Sequence, residues 1–503
     1  MHILSADQHR QLDAATLAAD GIDSRQLMER AATAWTEAFV RHYPADHREV
    51  VVVAGTGNNG GDGLVIARLL RFRGYTSRAV VVGVGTASED QQHNRRRARD
   101  TGVPVRDWAL GEPLPVLTPG CIVIDALFGT GLSRPIEGEL GRLIDHLNEQ
   151  PVTRVAVDLP SGLYADRPPE GHIVRAQRTL SLGYPKLALF APANTNYLGD
   201  WELVPFAVAD RYAAEAEVVH HMLREKEVAK LLRLRRANDH KGTFGHALLV
   251  AGAFGKMGAA IIAARAVLRA GAGLVTTHLP RCGYEIMQIS FPEAMCSVDR
   301  HRYQFTGVSG VDRYDVVGIG PGLGTASSSV QGLDRLLEAY DRPMVVDADA
   351  LNIVARQGWL DRLPRGSVLT PHPKEFERLF GATTDDFARW ELQRQQAQQL
   401  GLTILCKTGY TSIATPNGAL YLNTTGNPGM GTGGTGDALT GVITGLLAQG
   451  YTSEDAARLG VYLHGLAGDL AAEELEQESL LAEDVVHYLG RAFRVLHAVR
   501  ATG

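Results

Sequence analysis

Six glycines and one aspartate stand together in the sequence GNPGMGTGGTGD, residues 426 to 437. The residues that follow, ALTGVITGLLAQG, place apolar side chains at helical spacing. A helix that begins near Gly436 would direct free backbone N–H groups and the positive end of its dipole at a ligand above the loop. Such a helix end binds anions, and Asp437 in its first turn would accept a proton from an attacking hydroxyl group. The pattern therefore indicates phosphoryl transfer.

A purely structural role is the alternative for Asp437, because aspartate also favours the first turn of a helix and glycine favours turns. Capping needs one aspartate, however, and does not account for the glycines before it. The segment lacks the GK[ST] of a Walker A loop. The preceding residues LNTTGNPGM do not have the pattern of a strand, which argues against a dinucleotide-binding fingerprint.

A second glycine-rich segment, GTGNNGGDG at residues 55 to 63, lies between a strand pattern and a helix pattern. This is the setting of a phosphate-binding turn. Asp125 in CIVIDALFGTGL, and Asp158 with Ser161 in VDLPSGL, follow two other predicted strands. Loops at one edge of a parallel sheet converge, so we expect one site with oxygen ligands for a hard cation and a carboxylate, Asp158, for acid–base chemistry. The alternative is that the two aspartates only cap turns.

Both glycine-rich segments lie in alternating strand and helix patterns, which predict an α/β fold. The alternation weakens after about residue 205, and residues 211 to 241 are charged and helix-prone without strands. It resumes at residue 245 with glycine motifs in a different order, which favours two unrelated α/β domains over a repeat. We predict domains at residues 1–218 and 219–503. The arginine cluster at 233 to 236 is interpreted as a solvated helix.

The composition excludes several classes of protein. A chain of 503 residues exceeds the usual size of one hydrophobic core, and its 45% hydrophobic and 21% charged residues are ordinary for a soluble protein. The net charge of −6 predicts no binding to nucleic acid or to an anionic membrane. Four separated cysteines, no secretory signal and no apolar run of about 18 residues predict a soluble protein of the cytoplasm.

Further motifs in the second predicted domain run in order from about residue 240 to 485. They are HKGTFGHALLVAG, GKMGAA, RAGAGLV, GIGPGLG, DADALN, TPHPKEF, NPGMGTGGTGD and VYLHGLAGD. Together they resemble the ADP/ATP-dependent NAD(P)H-hydrate dehydratases, whose fold is ribokinase-like. In that family the terminal phosphoryl group of the nucleotide is transferred to the 6-hydroxyl of a hydrated nicotinamide. Elimination of phosphate then regenerates NADH or NADPH, because phosphate leaves the ring more readily than hydroxide does.

The resemblance implies roles for individual residues, with Asp437 as the base at the hydrate hydroxyl. The hydrate-binding positions are Ala259, Gly322, His372 and Asp437. The nucleotide-binding positions are Lys407, Thr408, Gly409, Tyr410, Thr411, Gly434, Thr435 and Gly436. The last three of these form the anion site. The segment Lys407 to Thr411 has the sequence KTGYT, where the family frequently has KGAGT.

Three of the implied roles have structural alternatives. His372 would instead cap the following helix, and Lys407 would be a solvent-exposed lysine on an edge strand. Asp347 and Asp349 follow a predicted strand, where they would either hold a metal ion or form a turn.

The first predicted domain resembles the NAD(P)H-hydrate epimerases, with a Rossmann-like three-layer αβα fold, through QLMERAA, GNNGGDG, IDALFGTGLSRP and AVDLPSG in order. By that resemblance Asp158 is catalytic and contacts the nicotinamide hydrate, and Asn59, Asp125 and Ser161 bind a potassium ion. The positions that line the hydrate's dinucleotide are Asn58, Asn59, Gly60, Gly61, Asp62, Gly129, Thr130, Gly131, Leu132, Ser133, Arg134 and Pro135.

The two resemblances imply one repair function. The first domain would interconvert the R and S epimers of hydrated NADH and NADPH, and the second would dehydrate the S epimer at the expense of ADP, or of ATP, with magnesium. We expect a homo-oligomer whose partners are these small molecules. The main rival is a ribokinase-type kinase for a vitamin or sugar, which would release a stable phosphorylated product. A second rival makes the first domain a binding or scaffold module.

Overall fold

A computed structural model describes residues 1–83 and 85–502. The chain forms two compact units, one made of Met1–His220 and Asp385–Phe387, the other of the remaining residues from His221 onward. Each unit contains one sheet with flanking helices, so the predicted two-domain α/β architecture is confirmed. Within the described residues, no helix combines the length and the apolar character that a membrane crossing requires.

The first unit is built on a seven-stranded sheet in the order β3-β2-β1-β4-β5-β6-β7, in which neighbouring strands are parallel. Its strands are β1 (Glu49–Ala54), β2 (Thr76–Val82), β3 (Val105–Trp108), β4 (Ile122–Ala126), β5 (Thr153–Val157), β6 (Arg178–Leu182) and β7 (Asp200–Val204). Its helices are α1 (Ala6–Asp20), α2 (Ser24–His42), α3 (Asn58–Phe72), α4 (Glu89–Asp100), α5 (Gly138–Glu149), α6 (Thr195–Leu198) and α7 (Asp210–Glu215).

Apolar side chains on both faces of this sheet are buried under helices. Val50 and Val52 of β1 share a core cluster with Trp35 of α2, whereas Val51 and Val53 point the other way. The second face packs against α5. A strand buried on both faces needs the continuous apolar run that β1 shows. Because helices cover both faces of the sheet, the prediction of a three-layer αβα fold is confirmed. The strand order reverses between β1 and β4, where open α/β sheets bind ligands.

The second unit is built on a ten-stranded sheet in the order β11-β10-β9-β12-β13-β14-β15-β16-β17-β8. Its strands are β8 (His220–Met222), β9 (His246–Val250), β10 (Leu274–Leu279), β11 (Met295–Val298), β12 (Val316–Ile319), β13 (Met344–Val346), β14 (Val368–Leu369), β15 (Thr403–Cys406), β16 (Ser412–Ala414) and β17 (Leu420–Leu422). Its helices are α8 (Glu225–Leu231), α9 (Met257–Arg269), α10 (Tyr284–Ser290), α11 (Ser327–Ala339), α12 (Ala348–Gln357), α13 (Pro373–Phe380), α14 (Asp386–Leu400), α15 (Thr435–Ala448), α16 (Ser453–Leu475) and α17 (Ala482–Thr502).

Close packing of α15 against α9 places the glycine-rich loop. A Cβ on Gly441 would lie 2.2 Å from the carbonyl oxygen of Ala263, and one on Gly445 would lie 2.4 Å from that of Val267. These two glycines therefore let the helix backbones approach closely. The strand order reverses between β9 and β12, and the loops after these strands contribute Lys256 and Gly322 to a cavity that Asp437 of α15 also lines.

Two predictions about residues 211 to 241 are wrong. The segment contains the strand β8, which was missed because three residues carry no alternation and the strand is defined by its place beside β17. The arginine cluster at 233 to 236 follows the end of α8 and is not helical. Arg233 donates to the carbonyls of Gln449 and Gly450, so it satisfies backbone acceptors beyond the end of α15.

Candidate active sites

The N-terminus of α15 carries the glycine-rich loop. Gly434 precedes the helix with a φ of 99°, a left-handed conformation that costs glycine little. A Cβ at this position would also lie 2.8 Å from Ile262 Cδ1. No described side chain caps this helix end, so the N–H groups of its first turn are available to an anion.

Lys407 adds a positive charge beside this helix end. Its Nζ lies 2.9 Å from Asp347 Oδ1, and a Cβ on Gly436 would lie 3.4 Å from the same Nζ. Asp347 Oδ2 accepts a hydrogen bond of 2.6 Å from Thr440 Oγ1 of α15. Asp347 is buried, and its two bonds fix Lys407 against the helix. This pairing replaces the solvent-exposed alternative for Lys407 and gives Asp347 a positioning role.

A cavity of about 410 Å³, here called the hydrate cavity, opens beside Asp437. It brings together Asp437, Ala259 and Gly322, three of the positions that sequence reasoning assigned to the hydrate. Its lining residues are Gly255, Lys256, Gly258, Ala259, Gly322, Ala348, Asp349, Asn352, Glu375 and Asp437. Lys256 Nζ lies 3.2 Å from Asp349 Oδ2, so this site carries a second lysine–aspartate pair.

The motif VYLHGLAGD lies on α16 and holds the glycine-rich loop in place. His464 Nε2 donates a 2.9 Å hydrogen bond to the carbonyl of Thr435. Burial lowers the pKa of His464 to about 4, so the ring is neutral. Asp469 accepts hydrogen bonds from Gly426 N at 2.8 Å and from Asn427 Nδ2 at 3.0 Å. The loop is therefore fixed at both of its ends.

His372 occupies the N-cap of α13. Its Nδ1 accepts a 3.1 Å hydrogen bond from Lys374 N, and its own backbone N–H donates to Glu375 Oε2 at 3.0 Å. His372 therefore caps the following helix, as the structural alternative for this residue predicted. Glu375 of the same cap lines the hydrate cavity. A contact between His372 and the hydrate stays a prediction.

The predicted nucleotide segment Lys407 to Thr411 forms the tight turn between β15 and β16. Thr408 Oγ1 donates to the carbonyl of Tyr410 at 2.8 Å, and Thr411 Oγ1 donates to that of Thr408 at 3.4 Å. This turn begins at Lys407, beside the N-terminus of α15, which brings it together with Gly434 to Gly436.

In the first unit, the predicted segment Asn58 to Asp62 forms the first turns of α3 directly after β1. A Cβ on Gly60 would lie 2.0 Å from the carbonyl oxygen of Gly55, so the turn requires glycine there. No described side chain caps the N-terminus of α3. Its backbone N–H groups lie at the reversal of strand order between β1 and β4, where an anionic ligand fits.

Asp125 and Ser161 are brought together in the interior of this unit. Asp125 accepts hydrogen bonds from Ser161 N at 2.7 Å and from Ser161 Oγ at 2.5 Å. It also accepts a 3.3 Å bond from Leu127 N, so the turn-capping alternative describes part of its role. Ser161 Oγ in turn accepts a hydrogen bond from Phe128 N at 2.9 Å. Burial raises the pKa of Asp125 to about 6, although the bonds from Ser161 oppose the effect.

Asn59 extends toward the same loop. A Cβ on Gly129 would lie 3.1 Å from Asn59 Oδ1. Asn59 Nδ2 is buried and has no hydrogen-bond partner among the described residues. The predicted segment Gly129 to Pro135 begins at this contact and runs along the surface, where Arg167 donates to the carbonyl of Ser133 at 2.7 Å.

Asp158 is held in an unusual environment directly after β5. Its φ of 69° is left-handed, a conformation that few residues other than glycine adopt and that is often found at functional sites. Lys186 Nζ lies 2.5 Å from Asp158 Oδ1 and donates to Leu182 O at 2.6 Å. Burial favours the neutral acid, but the Lys186 charge and hydrogen bond outweigh it and hold the pKa of Asp158 below its ordinary value.

The charges of this ion pair act on the pKa values of Asp62 and His9. Burial and the Asp158 charge raise the pKa of Asp62 well above its ordinary value. Burial and the Lys186 charge lower the pKa of His9 to about 3. The site therefore combines an ionised carboxylate with a carboxyl group that favours its protonated form, which is the pattern of an acid–base pair.

Sequence reasoning missed Lys186, Lys256 and Thr440. The signal for Lys186 was available, since a lone lysine in the apolar run SLGYPKLALF is costly to bury unless it is paired. Lys256 and Thr440 carried no distinct signal. Within the described residues, no cluster of three or more His, Cys, Asp or Glu side chains is placed to hold a metal ion, so Asp347 and Asp349 belong to no such group.

Comparison with known proteins assigns both units. A family model described as NAD(P)H-hydrate dehydratase matches residues 247–491, and one described as YjeF-related protein N-terminus matches residues 24–188. The chain is 35% identical over 515 residues to the bifunctional NAD(P)H-hydrate repair enzyme of Moorella thermoacetica, which covers 99% of this chain and 97% of that protein. A relative of the same description from Coxiella burnetii is 34% identical and covers 93% of this chain and 95% of its own length.

Solved structures resemble part of the chain. A ribokinase-like superfamily protein of Enterococcus faecalis is 28% identical, with a TM-score of 0.50, and covers 56% of this chain and 98% of its own. The ADP/ATP-dependent NAD(P)H-hydrate dehydratase of Bacillus subtilis, crystallised with ATP and Mg²⁺, is 32% identical, with a TM-score of 0.49, over 55% of this chain and 98% of its own. Since close relatives match nearly the whole length of the chain, the protein belongs to the family of bifunctional NAD(P)H-hydrate repair enzymes.

Proposed function

We propose that the second unit dehydrates the S epimer of hydrated NADH and NADPH. The observation that carries this proposal is the Asp437 carboxylate, which lines the hydrate cavity at the uncapped N-terminus of α15 beside Lys407. The oxygen of the 6-hydroxyl group attacks the terminal phosphorus of the nucleotide, and Asp437 accepts the proton that this hydroxyl group loses. The first-turn N–H groups and Lys407 stabilise the negative charge on the transferring group.

The phosphorylated hydrate then loses inorganic phosphate and a ring proton, which restores the reduced nicotinamide. With ADP as donor, the overall products are NADH or NADPH, AMP and inorganic phosphate. We propose ADP as the preferred donor, with ATP as the alternative, and Lys407 to Thr411 with Gly434 to Gly436 as its phosphate-binding segments. A magnesium ion bound by the nucleotide phosphates would supply charge neutralisation in this step.

For the first unit we propose interconversion of the R and S epimers. Carbon 6 of the hydrate bears both a hydroxyl group and the ring nitrogen, so its configuration inverts through reversible opening of the C6–N1 bond. Asp158, held ionised by Lys186, removes the hydroxyl proton, and Asp62, which favours its protonated form, supplies a proton to the opened ring. Reversal of these transfers after rotation of the aldehyde gives the other epimer.

We also propose that Asn59, Asp125 and Ser161 hold a potassium ion. Their amide, carboxylate and hydroxyl oxygens are ligands that hard cations prefer, and the hydrogen bonds from Ser161 to Asp125 hold two of these residues together. The ion would add positive charge near the substrate phosphates at the N-terminus of α3.

The function is tested with purified protein, a mixture of hydrated NADH epimers, and ADP or ATP. We expect full recovery of reduced-nicotinamide absorbance, with AMP and inorganic phosphate formed in equal amounts when ADP is used. A vitamin or sugar kinase would leave the absorbance unrestored, and that result would overturn the proposal. Omission of nucleotide provides the control for spontaneous dehydration.

The pH dependence of the dehydration follows from Asp437. Burial, reinforced by the Asp347 charge, raises the pKa of this carboxyl to about 6. A general base must be ionised, so protonation of Asp437 at low pH removes activity. We expect kcat/KM to be level above about pH 7 and to fall roughly tenfold per unit below about pH 6. A profile that stays level to about pH 4.5, as an ordinary aspartate would give, contradicts this role.

We propose further that the protein is a homo-oligomer in the cytoplasm, where its nucleotide substrates are found. Strand β11 ends the ten-stranded sheet and exposes Met295 and Val298, and Ile289 of the neighbouring α10 is 82% exposed. An exposed strand edge with apolar side chains is suited to contact with a second copy. Light scattering of the purified chain measures the oligomeric state.

A further inference from the structure

A second cavity of about 540 Å³ adjoins the hydrate cavity and is here called the arginine cavity. The two cavities share Asp349 and Asn352. The arginine cavity is lined by Thr325, Asp349, Asn352, Ala355, Arg356 and Arg378. A single extended ligand can therefore occupy both cavities at once.

The two guanidinium groups of the arginine cavity are oriented but retain free donors. Arg378 Nη1 donates to Asn352 Oδ1 at 2.7 Å, and Arg356 Nη2 donates to the carbonyl of Thr325 at 3.2 Å. Asn352 and Arg356 are four residues apart on α12, so they lie on one face of the helix. A guanidinium group has five N–H donors, and each of these bonds uses one.

Neither guanidinium group is within ion-pair distance of a carboxylate among the described residues. Asp349 is the acidic residue of this cavity, and its Oδ2 already accepts from Lys256 Nζ at 3.2 Å and from Gly324 N at 2.8 Å. The cavity thus presents two positive charges without a matching anion of the protein. Paired arginines of this kind bind phosphate groups through two parallel hydrogen bonds.

We propose that Arg356 and Arg378 bind the pyrophosphate of the hydrated dinucleotide and so determine its affinity. This inference rests on the proposed dehydratase function. In a dinucleotide only one ribose separates the nicotinamide from the pyrophosphate, so a nicotinamide in the hydrate cavity brings these phosphates to the adjoining cavity. The 2′-phosphate of NADPH lies farther away, on the adenosine ribose. The proposed nucleotide segments, Lys407 to Thr411 and Gly434 to Gly436, line neither of the two cavities.

The test compares Arg356→Ala, Arg378→Ala and the double variant with the parent enzyme. Loss of a charged hydrogen bond to phosphate should raise KM for both hydrated NADH and hydrated NADPH roughly tenfold or more for each arginine. We expect kcat and the KM for ADP to stay unchanged. Arg365→Ala, which removes the charge of an exposed arginine that lines neither cavity, is the matched control.

Hydrated nicotinamide riboside, which carries no phosphate, is the decisive probe. Its KM should be the same in the parent and in the variants, because the lost contacts have no counterpart in this substrate. A rise in KM for ADP would assign the cavity to the nucleotide, and an effect confined to hydrated NADPH would assign it to the 2′-phosphate. Either result, or an unchanged KM for every substrate, overturns the proposal. Failure of the dehydratase function itself would appear separately, as a parent enzyme without activity.

Discussion

Replacement of Asp437 by asparagine is expected to reduce kcat for dehydration roughly 10²- to 10⁴-fold. The amide is nearly isosteric with the carboxylate but cannot accept the proton of the 6-hydroxyl group at neutral pH. The N–H groups of α15 and Lys407 remain, so the KM for ADP should change little. Single-turnover measurements with preformed enzyme and nucleotide would separate this chemical effect from binding.

The stability of the same variant distinguishes catalysis from a structural role. The raised pKa of Asp437 means that folding disfavours its ionised form, so a neutral side chain should leave the melting temperature equal to or higher than that of the parent. Asp455→Asn is the matched control, because Asp455 lies in the first turn of α16 and does not line the hydrate cavity. Retention of more than about a tenth of the parent kcat by Asp437→Asn would exclude Asp437 as the general base.

The helices and strands around both sites could be predicted from the sequence because their signals are local. The run of valines in β1, for example, must be buried on both faces of a sheet. Strand β8 could not be predicted in this way. It has only three residues, and its conformation depends on a neighbour, β17, that lies far along the chain.

In the candidate sites, too, local signals could be predicted from the sequence and long-range contacts could not. Asp437 and Asp158 stand next to glycine-rich or strand-end motifs, so their types and positions were informative. The charged groups that act on their pKa values come from distant segments: Asp347 helps to raise the pKa of Asp437, and Lys186 lowers that of Asp158. Capping by His372 was recognised as an alternative because cap residues act within three positions of one another. Long-range ion pairs have no comparable pattern.

Replacement of Lys186 by methionine is expected to abolish the epimerase activity and to destabilise the first unit. Lys186 is 1% exposed and Asp158 is 8% exposed, so the variant leaves a buried carboxylate without its partner. Loss of one partner of a buried ion pair typically costs about 3–5 kcal/mol of unfolding free energy. The pKa of Asp158 should then rise, because burial is no longer opposed by the ammonium group, and at neutral pH the base would be lost.

A second variant separates the two effects. The double replacement Asp158→Asn with Lys186→Met removes both charges, so most of the stability lost in Lys186→Met should return while the epimerase activity stays absent. Urea unfolding measures the stability, and conversion of the R epimer, at times short relative to spontaneous epimerisation, measures the activity. Dehydration of the S epimer by the second unit is the internal control and should be unchanged. Rapid consumption of the R epimer by the double variant would show that the pair is structural, since the fold would then survive without the charges and the reaction would not need them.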